Sequence, residues 1–192
     1  RNTVGTIVGP SDVVATLWDL VEHRWARPRE IRSRQPHLEI RHRPGVAPDP
    51  DVRLTHPADL PALYPACVAM YTEEVGVSPE NDAGGGDLYR ARIQQLIGRG
   101  WSLASFDDAG VVFKAEVGSL SRRAGQIQGV WVHPQRRGAG LGTRGTAAVA
   151  NAVVASGRTA SLYVNDYNGI ARRAYSRVGF RQIATFATVL LD

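Results

Sequence analysis

The residues best placed to do chemistry lie in one stretch: Val130-Trp131-Val132-His133-Pro134-Gln135-Arg136-Arg137-Gly138-Ala139-Gly140-Leu141-Gly142. An apolar, strand-like run delivers the chain into a loop with alternating glycines, and an Ala/Val-rich helical pattern starts there. Glycines let backbone N–H groups turn outward and let a ligand approach the main chain closely. The beginning of a helix adds partial positive charge, so the stretch is an anion cradle, best matched to a pyrophosphate. Arg136 and Arg137 add charge at its rim. It is no Walker A loop, because no Gly-Lys-Ser/Thr follows.

Gly140-Leu141-Gly142-Thr143-Arg144-Gly145 also fits the dinucleotide pattern G-x-G-x-x-G, with Asp166 at the end of the next strand. Three features oppose that reading. Residues 134–137 separate the strand end from the first glycine, where a dinucleotide turn is immediate. The preceding strands are joined as hairpins. Too little chain follows Asp166 to complete a doubly wound sheet.

The elements that must position the loop follow from periodicity and turn residues. Thr6-Ile7-Val8-Gly9 reads as a short strand, and Ser11 or Asp12 as the cap of a helix with Val13, Val14, Leu17, Leu20 and Val21 on one stripe. Residues 43–50 contain three prolines and no periodicity, the mark of a linker. We therefore expect residues 1–45 to be an annex or the end of a larger N-terminal unit docked on the rest, residues 46–50 a linker, and residues 51–192 the main domain.

In that domain, residues 51–56 alternate as a strand, and Pro57 opens a helix through Leu63, Cys67 and Met70. A second helix starts at Asp87, after an acidic loop with Gly84, Gly85 and Gly86. Residues 101–106, 111–117 and 126–133 form an antiparallel meander joined by tight turns. The glycine loop and a helix to Gly157 follow, then a strand over 160–164, a helix over 168–178 stopped by Gly179, and a strand over 182–191. The order β-α-α-β-β-β-α-β-α-β predicts an α/β fold with a mixed sheet and helices on both faces.

Gln135-Arg136-Arg137-Gly138-Ala139-Gly140 matches the Q/R-x-x-G-x-G/A signature of the GNAT N-acetyltransferases, and Asn168, Ala174-Tyr175 and Gly179-Phe180 resemble that family's second motif. The resemblance covers residues 51–192. Residues 70–79 and 113–118 further resemble a bacterial GNAT subgroup with an extra N-terminal domain, of which residues 1–45 would be the end. The resemblance implies a mostly antiparallel sheet splayed at an acetyl-CoA cleft, and an acyltransferase that passes acetyl to an amine by direct attack. It implies that Val130, Trp131 and Val132 hold the pantetheine, and that Arg137, Gly138, Ala139, Gly140, Leu141 and Gly142 hold the pyrophosphate. Asn168 would contact the cofactor arm.

Tyr175 stands where the family's general acid stands, able to protonate the departing thiolate; its bland alternative is a half-buried helix tyrosine. Many members carry a carboxylate where this chain has Gln126 and Gln128, and glutamine cannot accept the amine proton. Glu116 on the neighbouring strand is the nearest candidate base, with an ion pair or an exposed strand residue as its equal alternative; Glu73, Glu74 or a water chain are others. The acidic run 72–87, with Glu73 and Glu74 in it, would lie along the acceptor side and draw a cationic amine. His133 reads as structural. No covalent acyl-enzyme is expected, because Cys67 is remote in sequence from both motifs. The missing carboxylate also motivates a second class of function, a catalytically weak acyl-CoA-binding or sensing module.

Composition bounds these readings. The chain has 192 residues, 43% hydrophobic and 21% charged, which excludes collagen-like, coiled-coil and predominantly disordered classes. One cysteine allows no internal disulfide and no thiol metal cluster, so a reducing, cytoplasmic location and no metal are expected. The uncharged run 145–157 is shorter than the roughly 20 residues of a membrane span, and no secretory signal is visible. The chain starts at Arg1 rather than Met, which leaves a processed or truncated N-terminus open. The Arg, Ala and Gly bias is that of high-G+C bacterial coding. Net charge is +5, with arginines at 24, 27, 29, 32, 34, 41 and 43. That stretch could touch nucleic acid, but its sparse aromatics favour a solvated or domain-facing surface. The acceptor amine, small molecule or peptide, is not named by sequence. Oligomeric state is open, a homodimer through exposed strand edges being one outcome.

Overall fold

The computed structural model describes residues 5–25, 27–81 and 84–191. It is built from β1 (Thr6–Pro10), α1 (Ser11–Val21), β2 (Glu30–Ile40), β3 (Arg53–Leu54), α2 (Leu60–Val75), α3 (Gly85–Gly98), β4 (Ser102–Asp107), β5 (Gly110–Leu120), β6 (Ala124–Val132), α4 (Leu141–Ala155), β7 (Thr159–Tyr163), α5 (Gly169–Val178) and β8 (Arg181–Leu190). The strands make one eight-stranded sheet in the order β1-β8-β2-β7-β6-β5-β4-β3. Among the described residues every pairing is antiparallel except that of β6 with β7. The α/β mixed sheet is as expected.

Apolar alternation on β5 and β6 feeds two cores. On one face Phe113, Ala115, Val117 and Ile127 pack with Ala147, Val149 and Val153 of α4 and with Tyr175 and Val178 of α5. On the other, Leu63, Cys67, Ile93 and Ile97 of α2 and α3 cover Ala104, Val111 and Trp131. Helix α4 lies close on its strand because Gly145 has no side chain: a β-carbon there would stand 2.6 Å from the Phe113 ring. The last glycine of the G-x-G-x-x-G match is therefore a packing residue.

Three readings of the N-terminal segment change. Helix α1 has Pro10 at its N-cap and no side-chain cap, so Ser11 and Asp12 lie inside it. Its buried residues are Val14 and Trp18, packed on Ala187 and Val189 of β8. Val13, Leu17 and Leu20 are exposed. The large Trp18 ring sets the buried face, one position away from the stripe that aliphatic residues alone suggest.

The second change is larger. The basic stretch contains β2, an internal strand between β8 and β7, with Glu30 opposite Leu190 and His37 opposite Tyr163. Its arginines meet carboxylates: Arg32 bonds Glu30 and Glu74, Arg34 lies 3.9 Å from Asp166, and Arg41 is 3.0 Å from Glu39. The Pro-rich connection is also pinned down. Gly45 donates to the Val178 carbonyl and Asp49 to that of Arg144, at 3.0 and 3.1 Å. The expected strand over 51–56 shrinks to Arg53–Leu54 because a 3₁₀ turn, Pro57–Asp59, takes over before α2.

Candidate functional site

Strands β6 and β7 pair only through Ala124–Thr159, Gly125–Ala160 and Gln126–Ser161. Beyond that point they part. The rest of β6 keeps β5 as its partner, while β7 keeps β2 on its other edge. A wedge-shaped gap with one strand edge on each side is the result.

The chain leaves β6 at the wide end of the gap. His133 Nδ1 accepts from the Gln135 amide at 3.3 Å and caps a 3₁₀ turn, Pro134–Arg136, which bears out the structural reading of His133. Gly138 and Gly140 then adopt φ of 84° and 78°, a left-handed backbone that side chains resist. β-Carbons at either would meet nothing within 4 Å, so these glycines are required by the turn and leave open space above it. Gly140 is the N-cap of α4, and among the described residues no side chain caps that end. The first-turn amides thus keep no side-chain acceptor, and the helix field points into the opening. The donor set fits a pyrophosphate.

On β6 itself, Lys114 faces Trp131 and Glu116 faces Gln128, so β6 carries one residue more than β5 between these pairs. The bulge contains Gly129 at φ 59°. A β-carbon on Gly129 would stand 3.2 Å from Lys114 Nζ and from Glu116 Cδ. Beneath the bulge, Lys114 Nζ donates to Glu116 Oε1 at 2.6 Å, with both side chains buried. Burial pulls the Lys114 ammonium down, but the Glu116 carboxylate and the neighbouring Cys67 together outweigh it, and the net shift is upward. The contact is the one that the ion-pair alternative for Glu116 calls for. Cys67 is buried nearby, and burial pushes its thiol above the ordinary value. Gln128 lies over Gly118, where it fills the space of a side chain.

The expected acidic loop is partly helix: Glu73 and Glu74 belong to the last turn of α2, and Asp87 to the first turn of α3. Asp82 of that run lies outside the described residues. The adjacent glutamates reach opposite walls of the gap. Glu73 accepts from Trp131 Nε1 at 3.1 Å and from Arg137 Nη2 at 2.7 Å, and Arg137 Nε donates to the Val132 carbonyl at 3.1 Å. Glu74 accepts from Arg32 Nη1 at 2.7 Å and from Asn165 Nδ2 at 3.5 Å.

Tyr175 projects from α5 and is buried, its ring edge-on to Phe180. Burial drives its phenol well above the ordinary value, and the Glu74 charge pushes the same way. The group keeps its proton throughout the neutral range. Tyr163 is raised by burial and by Glu74 as well. Asn168 is the N-cap of α5, its Oδ1 accepting from the Ala171 amide at 3.1 Å, so that oxygen already has a partner. Sequence reasoning missed Gly129, Lys114, Arg32, Gln35 and Asn165. Gly129 is detectable as a glycine interrupting a strand, Lys114 as a lysine inside an apolar run, and Arg32 only as one of the arginines of a stretch read as a surface; nothing local marks Gln35 or Asn165. Among the described residues no cluster of three or more His, Cys, Asp or Glu side chains could hold a metal, and no helix is long and apolar enough to cross a membrane.

Residues 1–63 match a domain of unknown function, DUF4081, and residues 112–189 match the FR47-like protein family. No curated protein matches the chain. The structure is similar to a GNAT-family acetyltransferase from Colwellia psychrerythraea, with TM-score 0.67 and 11% identity over 97% of this chain and 64% of that one. It is similar to a GCN5-related N-acetyltransferase from Sphaerobacter thermophilus, with TM-score 0.64 and 21% identity over 96% of this chain and 59% of that one. A third likeness is yncA, a putative acetyltransferase from Salmonella typhimurium solved with its cofactor acetyl-CoA, with TM-score 0.54 and 19% identity over 73% of this chain and 93% of that one. The chain thus spans less than two-thirds of the length of the first two. These likenesses show that the fold is that of the GNAT acetyltransferases.

Proposed function

We propose, for a chain with the GNAT fold whose residues 112–189 are FR47-like, that it is an acetyl-CoA-dependent N-acetyltransferase. The observation that carries this reading is the parting of β6 from β7 beside the glycine-built, uncapped start of α4. Acetyl-CoA, the co-substrate, supplies the thioester acyl group. The free edge of β6 at Val130, Trp131 and Val132 offers main-chain partners to the pantetheine. The main chain of Gly138, Ala139, Gly140, Leu141 and Gly142 offers N–H groups to the pyrophosphate, while the Arg137 amide, expected among them, already donates to the Pro134 carbonyl; the Asn168 side-chain nitrogen is left for the cofactor arm.

Acetyl passes directly to the amine: a C–N bond forms, the C–S bond breaks, and its electron pair leaves with sulfur. Tyr175 holds a proton at Oη for that sulfur, a role worth roughly 10²–10⁴-fold in rate. Glu73 and Glu74 line the acceptor side, each paired with an arginine, and with Glu116 committed to Lys114 the amine proton leaves through water beside them. No acyl-cysteine is involved, since Cys67 is buried with a raised pKa. The single, buried cysteine suits a reducing, cytoplasmic location.

A second reading, an acyl-CoA-binding module with little turnover, is favoured by two facts: Glu116 is ion-paired, and glutamines occupy 126 and 128. Calorimetric titration with acetyl-CoA, beside CoA, NADH and ATP, tests the shared premise. Binding of acetyl-CoA that is lost in Gly138→Trp supports both readings, and CoA release with a panel of amines then separates them. Tighter binding of NADH, or none of acetyl-CoA, would sink both.

A further inference from the structure

Helix α2 ends over the cleft, and the groups that hold its end come from β2 and from the turn after β7. Arg32 of β2 has a side chain only 9% exposed. Its Nη1 donates to Glu74 Oε1 at 2.7 Å, and its Nη2 to the Glu74 carbonyl at 2.6 Å and to Glu30 Oε2 at 2.9 Å. The last carbonyls of a helix lack partners within the helix and sit at its negative end. A guanidinium that takes one of those carbonyls together with the adjoining carboxylate therefore clamps the final turn from outside.

Gln35, on the same strand, is fully enclosed with both ends of its amide satisfied. Nε2 donates to Asn165 Oδ1 at 2.8 Å, and Oε1 accepts from Thr188 Oγ1 at 2.5 Å. Asn165 in turn reaches Glu74. A continuous polar chain runs from β8 through β2 and the turn after β7 to the end of α2. Apolar side chains would join these strands at lower desolvation cost. The Arg32 Nε atom is buried without a partner among the described residues, a cost that strand pairing alone does not require.

We propose that β2 is a working part of the cleft: Arg32 and Gln35 are positioning residues that, with Asn165, hold Glu74 and the last turn of α2 across the gap between β6 and β7. This deepens the acetyltransferase reading and rests on the cleft being its reaction site. It gives the DUF4081-like segment a role there. Glu73 rides on the same turn, so its bonds to Trp131 and Arg137 depend on Arg32, although Arg32 bonds neither of those residues. Glu74, whose charge acts on Tyr175, is held by the same brace.

The test uses the full chain without ligand and reads the ¹⁵N–¹H indole resonance of Trp131, identified by its loss in Trp131→Phe. In Arg32→Met and in Glu74→Ala the resonance should move toward that of a free indole. Amide exchange at residues 70–76 should quicken about tenfold or more while the β5–β6 ladder keeps its protection. Arg32→Lys, which keeps a cation, should retain most of the native shift. Glu74 has a side chain 54% exposed, so Glu74→Ala carries the test if Arg32→Met does not fold. An unmoved Trp131 resonance in the folded variants, or exchange quickened equally across the sheet, would overturn the proposal. Acetyl-CoA titrated into the native chain on the same resonance judges the acetyltransferase reading separately, because the variant effects are measured without it.

Discussion

The two sides of the cleft are built on opposite plans. The β6–α4 side is contiguous: strand, bulge, glycine turn and helix start lie within residues 124–142, and their geometry follows from local backbone rules. The facing side is assembled from β2, the end of α2, the turn after β7 and the buried face of α5, and it is held by side-chain bonds between residues far apart in sequence. A contiguous site of this kind meets what is constant in a ligand with main-chain donors, on the proposed reading an anion. An assembled site brings side chains of different chemistry to one point, and the proposed reading puts proton transfer and acceptor choice there.

The largest expected effect separates the two sides. Tyr175→Phe should cut amine-dependent CoA release roughly 10²–10⁴-fold while leaving the calorimetric affinity for acetyl-CoA unchanged. A matching loss of affinity would mean that the phenol belongs to the binding side, and the division would fail.

Next comes the ion pair beneath the bulge, where the contiguous side depends on a buried contact of its own. Lys114→Met alone leaves Glu116 charged, buried and unpaired, and should lower unfolding free energy by about 3–5 kcal/mol in urea titration. Lys114→Met with Glu116→Leu should recover most of that loss. If the double variant is as unstable as the single one, the pair shapes the bulge through more than its charge balance.

The smallest effect concerns the far end of α2. Asp59 forms a two-armed pair with Arg53 and accepts from the His56 amide, and its carboxyl is held down to about 2. A depressed folded-state pKa stabilises above the unfolded value, near 4, and that contribution disappears as pH falls toward 2. Arg53 is half exposed, so after solvent screening about 1 kcal/mol is expected. Thermal melts between pH 5 and 2 should show a shallower acid limb in Arg53→Ala. If Arg32→Met still loosens residues 70–76 while Arg53→Ala does not, the two anchors of α2 act independently.

The legible part of this protein is the part whose physics is local. Left-handed turns need glycine, hairpins need their turn residues, and a helix start offers N–H groups whatever lies elsewhere, so the meander, the loop and both C-terminal helices could be placed from residue order. Strand β2 could not. Its arginines and Pro36 hide a strand pattern, and it becomes a strand because β7 and β8 leave a place between them. Tyr175 stood out through its motif, but its deep burial and the Glu74 charge beside it exist only in the folded chain. Glu116 shows the limit most plainly. Sequence left it as either a base or an ion-pair partner, and the pairing with Lys114 is visible only in the fold, where the bulge at Gly129 lets β6 lie directly on both side chains. Backbone conformation is encoded a few residues at a time, whereas the charge state and reach of a side chain depend on neighbours that sequence distance does not reveal.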